Sequence, residues 1–369
     1  MRSPPRAAFA VLLGASVAAG FAIAAGPAAH GGPATAAAPV VPGYAMAFPR
    51  DHGSHPAFRT EWWYATGWLR TASGEQLGFQ ATFFRSLREE AAGNPSAFAP
   101  HQILVAHAAI SDPARGHLWK DQRIARAGLG LAGANTGDAV VWIDGWRLVR
   151  EGGSFRIRAP ATDFALDLAL APAQPPLLNG EAGFSRKGRS PAAASYYYSL
   201  PHIEVRGHIA REGRREAVTG EAWLDHEWSS EYLEPQAAGW DWVGLNLDDG
   251  SALMAFRIRG RDGGVRWAGG SLRTADGRLL HFAPGDIAFT PRRSWRSPRT
   301  AIIYPVEWLL RAGDLALSIA PLMDDQESDT RATTGAIYWE GAVRASTGGR
   351  EVGRGYLELT GYGEALRLR

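Results

Sequence analysis

Bulky side chains recur at every second position through long stretches of this chain. Leu77, Phe79, Ala81 and Phe83 alternate with small or polar residues, the period of a half-buried β-strand. An aromatic segment at 64–69 and a turn at Ala72-Ser73-Gly74 precede them, so the region predicts a β-hairpin. Strands are also predicted at 103–110, at 140–149 turning through Glu151-Gly152-Gly153 into 155–157, at 164–170 and at 203–209. In the second half, Asp276-Gly277 marks a hairpin turn within 271–279, and 301–310, 315–320, 336–343 and 355–359 read as strands. Helical periodicity is scarce; only 86–92 allows one or two turns. The class is therefore mainly β, with barrels or sandwiches as the ways to remove exposed edges.

Proline-rich 172–176 and the Gly/Ser/Arg-rich 183–194 interrupt the strands, as functional loops or boundaries do. An internal echo supports two domains. Trp63-Tyr64-Ala65-Thr66-Gly67-Trp68-Leu69 is followed by Gly74, Leu77 and a strand closing in Arg85. Trp242-Val243-Gly244-Leu245-Asn246-Leu247 is followed by Gly250, Leu253 and a strand closing in Arg259. Two β domains, 48–215 and 216–369, each opening on an aromatic hairpin, are the expectation. Ahead of them, 26–47 is Ala, Pro and Gly with almost no charge and reads as a flexible leader. Arg2 and Arg6 precede an apolar run at 7–25 with small-residue sites such as Ala22-Ile23-Ala24, the parts of a secretory signal. The protein is thus expected to be exported, periplasmic or secreted, or anchored by this segment if it stays uncleaved. Membrane association is expected only through it.

A length of 369 residues agrees with two domains. Of the 39 lysines and arginines only Lys120 and Lys187 are lysines, so 37 are arginines, and acids offset them to a net charge of +2. They are interleaved, not clustered, and predict no nucleic-acid partner. Cysteine is absent, which excludes disulfides, a thiol nucleophile and thiolate metal sites. No Gly-x-Ser-x-Gly elbow, zinc-protease helix or phosphate-cradling loop is present either. Asp51, His52 and His55 have ligand-like spacing, but a loop or lid is the simpler reading, and neither metal nor cofactor is expected. The acidic run 324–327 reads as a solvated loop.

The densest chemistry lies at 220–259, where Asp225, His226, Glu227 and Asp241 stand among Trp223, Trp228, Trp240 and Trp242. A carboxylate walled by indole loses hydration and rises in pKa, and the ring faces attract a cation. On a regular strand His226 and Trp228 share one face, Asp225 and Glu227 the other. The first pair is then expected in a cavity, with the carboxylates in structural bonds. Glu61, beside Trp62 and Trp63, reads either way.

Five motifs carry a resemblance: Arg59-Thr60-Glu61-Trp62-Trp63-Tyr64, Tyr196-Tyr197-Tyr198-Ser199-Leu200-Pro201, Leu224-Asp225-His226-Glu227-Trp228-Ser229, Gly239-Trp240-Asp241-Trp242 and Gly355-Tyr356-Leu357-Glu358-Leu359-Thr360-Gly361-Tyr362. In this order they resemble the AttH-like family, related to carotenoid 1,2-hydratase (hydroxyneurosporene synthase). The resemblance implies two lipocalin-like antiparallel β-barrel domains, a cavity for an apolar, isoprenoid-like ligand, and addition of water to a double bond without a cofactor. More distant relatives cyclise polyketide products, and such a ligand is the alternative. Protonation gives a carbocation that water traps, so the protein supplies an acid and shields the cation. Asp225 or Glu227, with Asp241 as alternative, would be the acid, and His226 would move the water proton. Tyr64, Trp228 and Trp240 would steady the cation, with Glu61, Trp63, Trp242 and Tyr197 completing the ligand wall. Where the hydratases carry Tyr-x-Asp, this chain has Leu253-Met254-Ala255-Phe256. A non-catalytic carrier or sensor of a hydrophobic ligand is the competing class. A plain scaffold role becomes the better account if His226, Asp241 and Glu61 are all turned outward or locked in ion pairs far from any void.

Overall fold

The computed structural model describes residues 37–366; the segment 1–25, read above as a secretory signal, and the first part of the expected leader lie outside them. Two large antiparallel sheets make up the described chain. In the first, spatial order runs Trp119–Arg126, Gln102–Ser111, Gln76–Leu87, Thr60–Thr71, Arg214–Glu231, Ala194–Arg211, Phe164–Pro172, Ser154–Pro160, Trp146–Glu151, Val140–Ile143, Ala132–Ala134. The second runs Leu279–Phe282, Val265–Arg273, Ala252–Gly260, Ala237–Leu247, Arg350–Leu359, Ile337–Thr347, Leu315–Pro321, Ile303–Ala312, Ile287–Arg296. In both, the opening hairpin pairs with the sheet's last long strand, Thr60–Thr71 with Arg214–Glu231 and Ala237–Leu247 with Arg350–Leu359. Each sheet rolls round its own apolar core, so the molecule is mainly β, two lipocalin-like barrels in tandem.

Period-two alternation explains the three cores. Along Thr60–Thr71 the odd residues Trp63, Ala65 and Leu69 fill the first barrel with Leu77, Phe79, Ala81 and Phe83. The even residues Tyr64 and Trp68 point the other way. In the second barrel Val243, Leu245, Leu253, Ala255 and Leu357 turn inward, leaving Trp242, Met254, Phe256 and Tyr356 outside. These outer faces meet, forming a third apolar cluster between the sheets. Both faces of the central strands are thus covered, which is why they are apolar almost throughout.

Local departures have simple causes. Asp144-Gly145 is itself a two-residue hairpin turn, with Asp144 at φ 52°, and divides the strand expected at 140–149. The strand Gln76–Leu87 takes only the first two residues of the segment 86–92, where the one helical turn expected forms as a 3-10 turn at Glu89–Ala91. Residues 37–47 are not a loose leader. Val40 is buried in the first core, and Tyr44 packs 4.6 Å from Tyr196, so two large side chains order a stretch whose composition alone would not. The run 324–327 is not solvated throughout: Glu327 is buried and bonded to Ser297 and Thr300. The chain passes from one sheet to the other at 232–236, because the strand starting at Arg214 continues to Glu231 inside the first sheet. A division at 215/216 would cut that strand from its hairpin. No helix among the described residues is long and apolar enough to cross a membrane.

Candidate functional site

The strand Arg214–Glu231 carries chemistry on both faces. Toward the first barrel's interior it presents His226 and Trp228; toward the other sheet, Trp223, Asp225 and Glu227. The predicted division of faces is therefore present, but the void lies on the carboxylate side.

Inside the first barrel everything converges on Glu61. Its Oε2 accepts from Arg85 Nε at 2.8 Å and Ser54 Oγ at 2.9 Å. Its Oε1 lies 2.7 Å from His55 Nδ1 and 3.0 Å from His226 Nε2. Burial works to raise the Glu61 carboxyl, but Arg85, His226 and His55 overrule it and hold it well below the usual carboxylate range. Burial also opposes the charge on His55, yet its hydrogen bonds to Asp51 and Glu61 raise it. In His226 burial prevails and pushes the imidazole down, though Glu61 pulls the other way. His226 Nδ1 donates to the Asp51 carbonyl at 3.0 Å. A neutral ring so oriented would aim its Nε2 lone pair at Glu61, so a proton or a cation belongs between them. His55, Glu61 and His226 could hold a divalent ion, their donor atoms lying within 4.8 Å of one another. Rings close the cluster: His55 stacks on Trp228 at 3.7 Å and His226 on Trp63 at 4.7 Å. The ligand-like spacing at 51–55 thus belongs to a buried turn, not a lid.

Asp241 sits in the equivalent place in the second barrel. It accepts from Arg257 Nε at 2.5 Å, Arg259 Nε at 3.1 Å and the Tyr362 hydroxyl at 2.9 Å. His226, Glu61 and Asp241 are all locked in ion pairs or hydrogen bonds.

Between the sheets lies a chamber of about 1230 Å³. Its inner wall combines Tyr64, Trp240 and Trp242 with three buried carboxyl groups, Asp225, Glu227 and Glu340, and the half-buried Glu358. Asp225 is fixed by three donors: Ser199 Oγ at 2.6 Å, Trp223 Nε1 at 2.7 Å and Tyr197 Oη at 2.8 Å, the last itself accepting from Trp242 Nε1 at 2.9 Å. Burial nevertheless outweighs those bonds and lifts Asp225 to about 7. Glu227 lies 2.8 Å from Lys187 Nζ and accepts from Ser195 Oγ. Burial raises Glu227 while Lys187 opposes the rise. Glu340 and Glu358 are cross-strand partners. Glu358 accepts from Trp240 Nε1 at 2.7 Å, and Glu340 Oε1 has no hydrogen-bond partner. Burial lifts Glu358 to about 7 and Glu340 well above its ordinary value, Glu358 adding to the rise in Glu340.

Asp225, Glu227, Tyr64, Tyr197, Trp240 and Trp242 are therefore together in the chamber, with Glu61 at its wall and its charged end turned into the barrel. His226, Trp63 and Trp228 belong to the barrel interior and Asp241 to the other barrel. Sequence reasoning passed over Glu340, Glu358 and Lys187. Tyr338-Trp339-Glu340 and Tyr356-Leu357-Glu358 each put a carboxylate in phase with a tyrosine on strands that are otherwise apolar, and Lys187 is a lysine in an arginine-rich chain.

Two antiparallel barrels in tandem with a carboxyl-lined chamber between them define a lipocalin-like protein. The chain belongs to the AttH-like family, whose model matches residues 39–362. The crystal structure of an AttH-type protein from Nitrosomonas europaea is 56% identical, with TM-score 0.83, covering 88% of this chain and 99% of that one. Kievitone hydratase from Nectria haematococca is 16% identical, with TM-score 0.66, covering 86% of this chain and 93% of its own. CghA is 12% identical, with TM-score 0.50, over 92% and 98%. The last two are likenesses of fold. No curated protein matches the chain.

Proposed function

We propose that this protein takes an apolar, isoprenoid-like ligand into the chamber between its sheets and hydrates or cyclises it by acid catalysis without a cofactor. One observation carries the reading: Asp225 and Glu358, both lifted to about 7, face an aromatic cavity with no arginine or lysine in ion-pair contact among the described residues. A carboxyl poised near neutrality can hold its proton and still release it. In the step proposed, the acid O–H bond breaks as a C–H bond forms on the alkene, leaving the carboxylate and a tertiary carbocation. Water then adds to the cation and its surplus proton returns to the carboxylate. Tyr64, Trp240 and Trp242 line the path of the cation, each well-placed ring face contributing about 0.5 to 2 kcal/mol. Glu227, held by Lys187, would relay the water proton back to that carboxylate. Kievitone hydratase, on the same fold, is a hydratase by name. The same reading has the protein exported, to the periplasm or beyond.

One feature favours the second reading, a non-catalytic carrier. Asp225 is held by three donors and nothing accepts from it, as in a fixed acceptor that recognises a ligand. The test is to extract ligand from protein purified from its own cell envelope, then assay turnover of that molecule. Under the enzyme reading Glu358→Gln or Asp225→Asn lowers kcat at least 10²-fold while affinity changes little. A carrier shows binding and no turnover in wild type.

A further inference from the structure

Three candidates stand out across the molecule: the His55–Glu61–His226 cluster, the buried Lys187, and the unpaired carboxyls of the chamber. The first is closed by stacked rings and already saturated with internal bonds. The second is paired with Glu227 and lies over the Tyr197, Tyr232 and Phe256 rings. The third has hydrogen bonds at Asp225 and Glu358 but no basic partner, and Glu340 Oε1 has no hydrogen-bond partner.

Elsewhere among the described residues the buried acids Asp51, Glu61, Asp112, Glu227, Asp241 and Glu327 each have a basic partner. Among the chamber's lining arginines, Arg85 pairs with Glu61, Arg88 with Glu90, Arg299 with Asp325 and Arg331 with Asp329. Asp225, Glu340 and Glu358 are left without a basic partner among the described residues. Two of them, Glu340 and Glu358, lie directly opposite each other on neighbouring strands, where like charges repel. Glu340 is 5% exposed and aims into the chamber with Oε1 unbonded. Beside this pair stand the rings of Tyr64, Trp240 and Trp242. Carboxylates beside aromatic faces are the chemistry that holds an ammonium group.

We infer that the Glu340–Glu358 pair is a cation subsite, and that the chamber takes an amphiphile whose apolar chain ends in an ammonium group. The inference rests on the chamber being a ligand site and deepens it: a place that holds a permanent cation is one that would stabilise a transient carbocation. On the acid side of about pH 7 the pair keeps both protons; an arriving cation draws one off, and the pair becomes its counter-ion. The other groups facing the pair do not supply that charge. Tyr64, Tyr338 and Tyr356 are raised beyond reach by burial, His107 is pushed down to about 3 and stays neutral, and Lys187 is committed to Glu227.

The test displaces Nile red from the full chain with octyltrimethylammonium and with 1-octanol, at about pH 5.5 and about pH 8, on either side of the carboxyls' titration. Octyltrimethylammonium should bind at least tenfold tighter at the higher pH and, in calorimetry near pH 6.5, release a proton seen as a buffer-dependent heat. Octanol should be indifferent to pH. The E340Q/E358Q double variant should lose the tenfold gain and the proton release while binding octanol as wild type does, which also shows that it folds. E340Q alone, which removes no hydrogen bond at Oε1, repeats the test if the double variant is unstable. Equal binding of the two probes at both pH values, or a cation preference that survives both variants, overturns the inference. Octanol binding without the ammonium sinks the cation subsite alone; failure of both probes sinks the chamber as a ligand site as well.

Discussion

Glu61 and Glu358 are both glutamates on central strands, and their partners send them in opposite directions. Glu61, held by Arg85 and two histidines, stays charged. Removing its charge strands Arg85 in the barrel, so Glu61→Gln should cost about 3 to 5 kcal/mol in urea unfolding. Glu358 and Asp225 have no basic partner and rise to about 7. A depressed carboxyl such as Glu61 adds stability above its unfolded pKa that is lost as pH falls below about 4.5. A raised one adds stability at acid pH that is lost as pH climbs from about 4 through about 7. Unfolding free energy should therefore peak near pH 4 to 5 and decline toward neutrality. Asp225→Asn and Glu358→Gln should each flatten the declining limb, by up to roughly 1.4 kcal/mol for every tenfold by which folding had tightened the carboxyl's hold on its proton. Denaturant melts at three pH values check this, and an unchanged slope would show that neither group titrates there.

At the scale of the strand, alternation was legible from the start. Leu77 to Phe83 face inward as their spacing says, and His226 and Trp228 part from Asp225 and Glu227. What alternation does not encode is which face meets a void. Both faces of Arg214–Glu231 are lined by aromatic rings, and the covering of the second face comes from another sheet, from strands as near as Ala237–Leu247 and as far as Arg350–Leu359. Glu340 and Glu358 join the site only through cross-strand pairing with each other and packing against another sheet, which no local pattern announces. Metal-like spacing at 51–55 told only part of the story for the same reason: of its residues His55 joins the candidate donor cluster, and the other two members, Glu61 and His226, are supplied by the sheet. Glycine marks a close approach between sheets: a Cβ on Gly244 would stand 2.7 Å from the Trp242 ring of its own strand and 3.0 Å from that of Trp223 on the facing sheet. Gly244→Val should cost about 1 to 3 kcal/mol by overpacking, read as a lowered Tm with a shift in tryptophan emission.

For the molecule as a whole, the contact between barrels is a built interior. Tyr64, Trp68, Tyr197, Trp223, Trp242 and Phe256 are buried there, and the chamber opens within it. Neither barrel should be well behaved without the other. A fragment ending at residue 236 would expose the aromatic face of its central strands, and should associate in size-exclusion chromatography and bind an apolar dye strongly. The resemblance in five motifs foretold the tandem barrels; that the chemistry would lie between them was not in any one motif, because each barrel provides half of it. The most direct measurement is the infrared carboxyl band followed through pH in wild type, Asp225→Asn and Glu358→Gln, with and without octanol. A protonated-carboxyl band that persists near pH 7, weakens in each variant and shifts when octanol enters is the predicted result. A band lost by about pH 5, or one that ignores the ligand, would contradict it.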